Sequence, residues 1–181
     1  MKKLCLLIIA LAGTFILQAQ VTMGNLITGG TVAFQSTEYT ESDNNVDIFI
    51  FTPNVGYFFM DRLAGGIRAN FSKLTEEGSD YSDISGGPFV RYYFLPAAKR
   101  TNIFLDGSFL FGREKFENFP SENKTEFGFA AGPAFFFNPH VAMEAMVTWR
   151  SLKYEDDGGR YNTFGIAIGF QIHLNLLKGK K

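Results

Sequence analysis

The feature of this chain that most constrains its fold is a residue alternation that recurs in eight segments. In residues 162–174, every second residue is apolar, and Thr, Gly, Ala, Gln and His stand between them. A period of two is that of a β-strand. One face of each segment is a nearly unbroken apolar row, and Phe is abundant, with 21 in the chain. Closing such strands into a barrel places the apolar rows in lipid and the polar rows inside. The pattern therefore predicts an all-β fold, an eight-stranded antiparallel up-and-down transmembrane β-barrel.

The eight predicted strands cover most of the chain, and the first has the weakest boundaries. They span residues 26–39, 45–60, 63–75, 82–95, 102–115, 124–137, 141–150 and 162–174. Pro53, Pro88 and Pro133 lie inside three of them, where a residue without an N–H interrupts a ladder. We expect each proline to lie at a bulge or near a strand end.

The predicted connections alternate in character. Three are short and turn-like, and four are longer, polar and acidic. The short ones are residues 60–62, 96–101 and 138–140, and the longer ones are residues 38–45, 75–82, 113–124 and 153–161. An up-and-down barrel shows this alternation when both chain termini lie on the side of the short turns.

The N-terminus has the features of a secretory signal peptide. Lys2 and Lys3 precede an apolar run, and Ala19 supplies a small residue for cleavage. We predict a signal peptide at residues 1–19, with cleavage there or after residue 20, and a single barrel domain at residues 20–181. A membrane-anchoring helix is the alternative, but the apolar run is shorter than the roughly 20 residues that span a bilayer. Cys5 is the only cysteine, so the mature chain has no thiol chemistry.

Four charged residues on the inward faces form the main candidate constellation. Arg68, Arg91, Asp106 and Glu144 lie at similar distances from the short turns, at a rise of about 3.3 Å per residue. Eight strands leave an interior just wide enough for side chains to fill. We therefore predict a buried ion-pair network with a structural role in the lumen. A gate that opens for a small solute is the alternative.

The longer connections are rich in carboxylates. The acidic residues assigned to them are Glu38, Glu41, Asp43, Glu76, Glu77, Asp80, Asp83, Glu155, Asp156 and Asp157. Such runs are usually solvated surface loops. The functional alternatives are divalent-cation bridging to lipopolysaccharide and binding of an extracellular ligand. Asp156 and Asp157 lack the oxygen spacing of an EF-hand, so no Ca²⁺ site is predicted.

No catalytic, cofactor or metal site is predicted. Asp106 and Glu144 as a general acid and base would need substrate access that a filled lumen denies. His140 and His173 lack the neighbouring Cys or His ligands of a metal site. A lipid-hydrolysing triad would need an outward histidine, whereas His173 is predicted to face inward. The net charge of −1 gives no indication of nucleic-acid binding.

Two short segments carry a resemblance to a known family. The segments Pro-Asn-Val-Gly-Tyr-Phe at residues 53–58 and Gly-Pro-Phe-Val-Arg-Tyr-Tyr at residues 87–93, with Asn138-Pro139 and the final strand, resemble small OmpA/OmpX-like outer-membrane barrels of Gram-negative bacteria. They are especially similar to the short "porin family" barrels of Bacteroidetes. The likeness covers roughly residues 21–176. The chain departs from that family in its basic, non-aromatic C-terminus.

The resemblance implies a place and a role. The implied location is the outer membrane, with periplasmic termini, among outer-membrane lipid and lipopolysaccharide, and folding through the barrel-assembly machinery. The implied role is non-enzymatic: envelope structure or surface interaction. A narrow pore for ions or small solutes is the first alternative. The second is a soluble lipocalin-like carrier, whose apolar lumen conflicts with an inward Arg68, Arg91, Glu144 and Arg150. The oligomeric state is left open.

Overall fold

The computed structural model describes residues 21–38, 45–76, 79–96, 99–116, 121–155 and 160–175. The predicted leader lies outside these residues. The described strands form a closed barrel in chain order, with antiparallel neighbours throughout and the last strand paired to the first. This confirms the predicted fold class. The strands are β1 (Asn25–Glu38), β2 (Asn45–Met60), β3 (Leu63–Glu76), β4 (Ser79–Tyr93), β5 (Thr101–Phe116), β6 (Glu122–Phe136), β7 (Val141–Tyr154) and β8 (Arg160–Asn175).

The predicted faces of the strands are also confirmed. Apolar side chains point outward around the barrel, and Phe164 and Ile166 are 80% and 81% exposed. Buried polar side chains, among them Asn54 and Arg91, point into the lumen. A water-soluble carrier would need the opposite arrangement, so the lipocalin-like alternative is wrong. Among the described residues, no helix is both long and apolar enough to cross a membrane.

The predicted alternation of short and long connections is wrong. Glu76 pairs with Ser79, so β3 and β4 are separated only by residues 77–78, whereas residues 94–100 join β4 to β5. The strands continue past the apolar rows because backbone pairing does not depend on side-chain polarity. Both described ends of the barrel chain still lie together, since Asn25 pairs with Asn175. We call this the terminal end of the barrel.

Pro53 and Pro88 lie well inside their strands, away from bulges and strand ends, whereas Pro133 lies three residues before the end of β6, near a strand end as predicted. At Pro53, Pro88 and Pro133, two consecutive rungs are missing on one side of the strand, and the register is the same on both sides of the gap. On the other side each proline keeps a partner in the neighbouring strand. A register shift is found elsewhere, between Phe58 and Met60. A closed barrel holds each strand from both sides, so a local gap in one ladder leaves the register intact.

Candidate functional site

The four charged residues singled out in the sequence are brought together in the lumen. Strands β3, β4, β5 and β7 each supply one, and each lies on the inward parity of its strand. Arg91 stands directly opposite Asp106 in the β4–β5 ladder. Arg68 stands opposite Gly87, four residues from Arg91 along β4, and its long side chain reaches Asp106 from there. We call these four side chains the ion-pair network.

The ion-pair network is a continuous chain of charge-assisted hydrogen bonds. Arg68 donates from Nη1 and Nη2 to the two carboxylate oxygens of Asp106, at 2.6 and 2.8 Å. Arg91 donates from Nε to Asp106 Oδ2 at 2.9 Å. The Nη1 of Arg91 lies 2.8 and 2.9 Å from the two oxygens of Glu144. Paired contacts of guanidinium with carboxylate are among the stronger hydrogen bonds in proteins.

Three of the four side chains of the ion-pair network are buried, and the fourth, that of Arg68, is 11% exposed. Arg91 and Asp106 are each 1% exposed, and Glu144 is fully buried. The guanidinium carbon of Arg91 lies 4.5 Å from the centroid of the Phe104 ring, and that of Arg68 lies 4.8 Å from the Phe89 ring. These faces of aromatic rings add cation–π attraction to the two guanidinium groups. All formal charges of the network are therefore compensated inside it.

An aromatic layer, which the sequence analysis missed, lies next to the ion-pair network on the terminal side. It consists of Phe58, Tyr93, Phe104, Phe136 and His173, all at most 5% exposed. The His173 ring lies 5.7 Å from Phe58, 5.9 Å from Tyr93 and 5.3 Å from Phe136, between centroids. The Tyr93 hydroxyl donates to Glu144 Oε1 at 3.2 Å, which joins this layer to the network.

A signal for the aromatic layer was present in the sequence. Near the short turns, aromatic residues stand next to each other, as in Phe58-Phe59, Tyr92-Tyr93 and Phe135-Phe136. Adjacent strand residues point to opposite faces, so such doublets place a ring on each side of the wall. Together, the ion-pair network and the aromatic layer fill the lumen at the terminal end. We call this part of the barrel the closed half.

The rest of the lumen, which we call the open half, encloses a cavity of about 270 Å³. Its floor is the ion-pair network, of which Arg68, Arg91 and Asp106 contact the cavity. Its wall mixes polar side chains, among them Asn54, Glu126 and Arg150, with apolar ones such as Leu110 and Met146. The cavity is therefore a chamber of mixed polarity that ends at a charged floor.

One residue predicted for a surface loop belongs to the lumen instead. Asp83 lies in β4, is 6% exposed, and its Oδ2 is 2.6 Å from Lys124 Nζ. Asn70 Nδ2 also donates to it, at 3.3 Å. Position 83 already lies within the predicted strand 82–95, and the alternation of β4 places it on the inward face, as it does Ser85 and Arg91. The surface-loop assignment of Asp83 is thus wrong.

The other acidic residues are placed only in part. Glu155 is exposed and accepts a hydrogen bond from Asn123 Nδ2 at 3.0 Å. Strand residues whose backbone alone is described are Glu38, Glu76 and Asp80. Those outside the described residues are Glu41, Asp43, Glu77, Asp156 and Asp157. Binding by this acidic surface stays a prediction.

The histidines form part of the terminal end. His140 Nδ1 lies 3.0 Å from the backbone oxygen of His173, and His173 is buried among aromatic rings. Within the described part of the chain, no three His, Cys, Asp or Glu side chains are grouped to hold a metal ion. Asp106 and Glu144 accept hydrogen bonds from the arginines, so neither has the free access to substrate that acid–base chemistry requires.

The outward apolar rows, the closed barrel and the charged lumen define an eight-stranded barrel of the outer-membrane type. The sequence matches no protein-family model and no curated protein. Solved structures are similar in fold. Neisserial surface protein A (NspA) is 12% identical, with a TM-score of 0.58 over 84% of this chain and 97% of that one. The outer membrane protein OprG from Pseudomonas aeruginosa is 11% identical, with a TM-score of 0.55 over 88% and 99%.

Proposed function

We propose that this protein is an outer-membrane β-barrel with a non-enzymatic role in envelope structure or surface interaction. The observation that carries the proposal is the closed half, which blocks the lumen with neutralised charges and packed rings. A barrel without an open channel or a reactive group in its lumen acts in the envelope through the outer surface of its wall and through its two ends. The outer-membrane location is supported by the outward apolar rows and by the fold that this chain shares with NspA and OprG.

A pore is the less favoured function because the closed half is costly to open. A path through it must separate Arg91 from Glu144 or from Asp106, and all three side chains are at most 1% exposed. Separating a buried pair costs about 3–5 kcal/mol. At 1.4 kcal/mol per factor of ten, the open fraction is roughly 10⁻² to 10⁻⁴. The cavity of the open half therefore ends blindly at the ion-pair network.

The proposed orientation places the terminal end in the periplasm and the acidic end outside the cell. The exposed Glu155 and the acidic residues near the ends of β1, β3 and β7 would then face lipopolysaccharide, which carries phosphates. Divalent cations would bridge the two sets of anions. Insertion would proceed through the barrel-assembly machinery, after export directed by the predicted signal peptide.

Single-channel recording in planar bilayers tests the blocked lumen. We expect the wild-type protein to be silent and a variant that opens both layers of the closed half, Arg91→Ala/Glu144→Ala combined with Phe58→Ala and Tyr93→Ala, to show measurable conductance. Arg100→Ala, an exposed arginine in the connection after β4, is the matched control and should be as silent as the wild type. A steady conductance of the wild-type protein would overturn the proposal in favour of the pore.

Protease added to intact cells tests the orientation. Cleavage should be confined to the end that carries residues 39–44, 77–78, 117–120 and 156–159, and the protected fragments should retain heat-modifiable gel mobility. Cleavage at residues 61–62 or 137–140 would show that the terminal end faces outward and that the proposed orientation is reversed.

A further inference from the structure

The seam between the first and last strands is incomplete. Strands β1 and β8 pair from Asn25 with Asn175 to Val32 with Ile168. Both strands continue, but no rung joins residues 33–38 to residues 162–167, although the structure describes the backbone of both segments. The next ladder is continuous beside it: β7 and β8 pair from Val141 with Ile172 to Lys153 with Arg160. We call residues 33–38 and 162–167 the open seam.

The open seam lies at the depth of the apolar rows. Phe164 and Ile166 point outward from it, in line with Ile168, Phe170 and Ile172 further along β8. Backbone at membrane depth is tolerated without a partner strand only where it is covered or lines a water-filled cavity. Here the inner side of the seam is the cavity, because Ala33, Phe164 and Ile166 are among its lining residues. The cavity thus extends to the open seam.

The cavity wall holds acidic and basic groups without a hydrogen-bond partner among the described residues. Glu126 is 3% exposed and its Oε2 has no hydrogen bond; the Oδ1 of Asn54, which is 6% exposed, has none either. Arg150 lines the same cavity and makes no ion pair or hydrogen bond among the described residues. Gly128 stands opposite Arg150, two residues from Glu126 on β6, so the carboxylate and the guanidinium are diagonal neighbours.

We propose that the cavity and the open seam bind a single-chain zwitterionic amphiphile. Its anionic group pairs with Arg150, its ammonium group donates to Glu126 Oε2 and Asn54 Oδ1, and its alkyl chain leaves through the seam past Phe164 and Ile166. The cavity of about 270 Å³ is near the lower limit of small-molecule sites, which begin at about 300 Å³. It is large enough for a head group, and the chain must lie outside. This site goes beyond the structural role proposed above and does not depend on it.

Photo-crosslinking in nanodiscs tests the site. The probe is 1-acyl-lysophosphatidylethanolamine with a diazirine in its acyl chain, added to the full-length folded protein in phosphatidylcholine nanodiscs. Peptide mapping should place the adducts on the seam side, at Val32, Phe164 and Ile166, at least five-fold above those at Ile67 and Ile103, outward residues of β3 and β5. An even distribution around the barrel would show ordinary lipid contact and would overturn the proposal.

Head-group recognition is tested with matched variants. Glu126→Gln and Arg150→Gln should each reduce the seam adducts at least five-fold, whereas Lys153→Gln, on the outer face of the same strand as Arg150, should leave them unchanged. Heat-modifiable mobility of each variant shows that the barrel has folded. Equal capture of lysophosphatidic acid, which lacks the ammonium group, would contradict the role of Glu126. Adducts unaffected by either cavity variant would contradict the head-group site.

Closing the seam gives a second, independent test. The mature chain is predicted to lack cysteine, so an Ala33→Cys/Ala167→Cys variant would carry the two thiols needed to join the strands across the cavity side. Oxidation should abolish the seam adducts and reduction should restore them. A Thr28→Cys/Ile172→Cys variant, at a rung of the paired part of the same ladder, is the control. Adducts that persist in the oxidised seam variant would overturn the proposed path of the alkyl chain.

Discussion

The two halves of the lumen use the same eight strands to produce opposite interiors. The closed half pairs every formal charge of the ion-pair network and packs five rings beneath it. The open half leaves Glu126 Oε2 and Asn54 Oδ1 without partners around a cavity of about 270 Å³. The ladders around both halves are nearly complete, except at the open seam. The contrast therefore comes from the inward side chains and not from the backbone architecture.

This contrast shows how one half of a small barrel can stabilise the fold while the other half keeps space for a ligand. Eight strands enclose a space that large side chains can fill, and Arg91, Phe58 and Tyr93 fill it at the terminal end. Further along the strands, smaller inward residues such as Thr, Ser, Gly and Ala leave part of this space unfilled. Buried polar atoms without partners destabilise a fold by about 1–3 kcal/mol each. We therefore expect the closed half to carry most of the stability.

Removing Arg91 should have the largest effect. The Arg91→Ala substitution leaves Glu144 without its guanidinium partner and Asp106 with only Arg68, all within the closed half. Removing one partner of a buried charge pair costs about 3–5 kcal/mol, and we expect the free energy of unfolding to fall by that amount. Urea unfolding in lipid vesicles, followed by the single tryptophan, Trp149, measures it.

The control for this prediction is Arg100→Ala, which removes an exposed arginine. Exposed ion pairs contribute little to stability, so its unfolding free energy should lie within about 0.5 kcal/mol of the wild type. If Arg91→Ala proves equally mild, water must enter the closed half and solvate Glu144. The distinction between a dry half and a wet half would then fail.

Removing a ring of the aromatic layer should have the next largest effect. Phe58 is fully buried and contacts both Tyr93 and His173. Phe58→Ala leaves a cavity in a packed layer, and we expect a loss of about 3 kcal/mol, the lower end of the range for such truncations. Phe59→Ala is the matched control, because its neighbouring ring faces outward at 44% exposure. A loss for Phe59→Ala as large as that for Phe58→Ala would show that the lipid-facing rows, not the closed half, dominate stability.

The strands and their faces could be predicted from the sequence because the alternation is local. A period of two assigns each residue to a face, and it places Arg68, Arg91, Asp106 and Glu144 on the inward faces of their strands. The aromatic layer was missed because the inward face was expected to be polar throughout. Doublets such as Phe58-Phe59 place rings on both faces and indicate where that expectation fails.

The remaining errors concern where strands end and how they meet. Polar residues such as Glu76 and Ser79 have the composition of a loop yet pair across a two-residue connection. Asp83 was assigned to a loop by its charge, although the alternation of the predicted strand 82–95 already placed it on the inward face. The open seam has no sequence signal either, because residues 162–167 continue the regular alternation. Ladder formation between β1 and β8 depends on closure of the whole barrel, a property that no single segment encodes.

The smallest expected effect on the free energy of unfolding comes from a pair of variants that each enlarge one alanine, one in each half of the lumen. Ala134 is fully buried beside Glu144 on the neighbouring strand, and Ala134→Leu must displace that carboxylate or a ring of the aromatic layer. Overpacking of this kind costs about 1–3 kcal/mol. Ala33→Leu adds the same atoms at the wall of the cavity, where space is present, so its unfolding free energy should change by less than about 0.5 kcal/mol.

Equal losses for the two variants would mean that the cavity does not persist in the membrane. A mild Ala33→Leu variant that also loses the lysophospholipid adducts at the seam would instead show that the space is maintained for a ligand and not for stability.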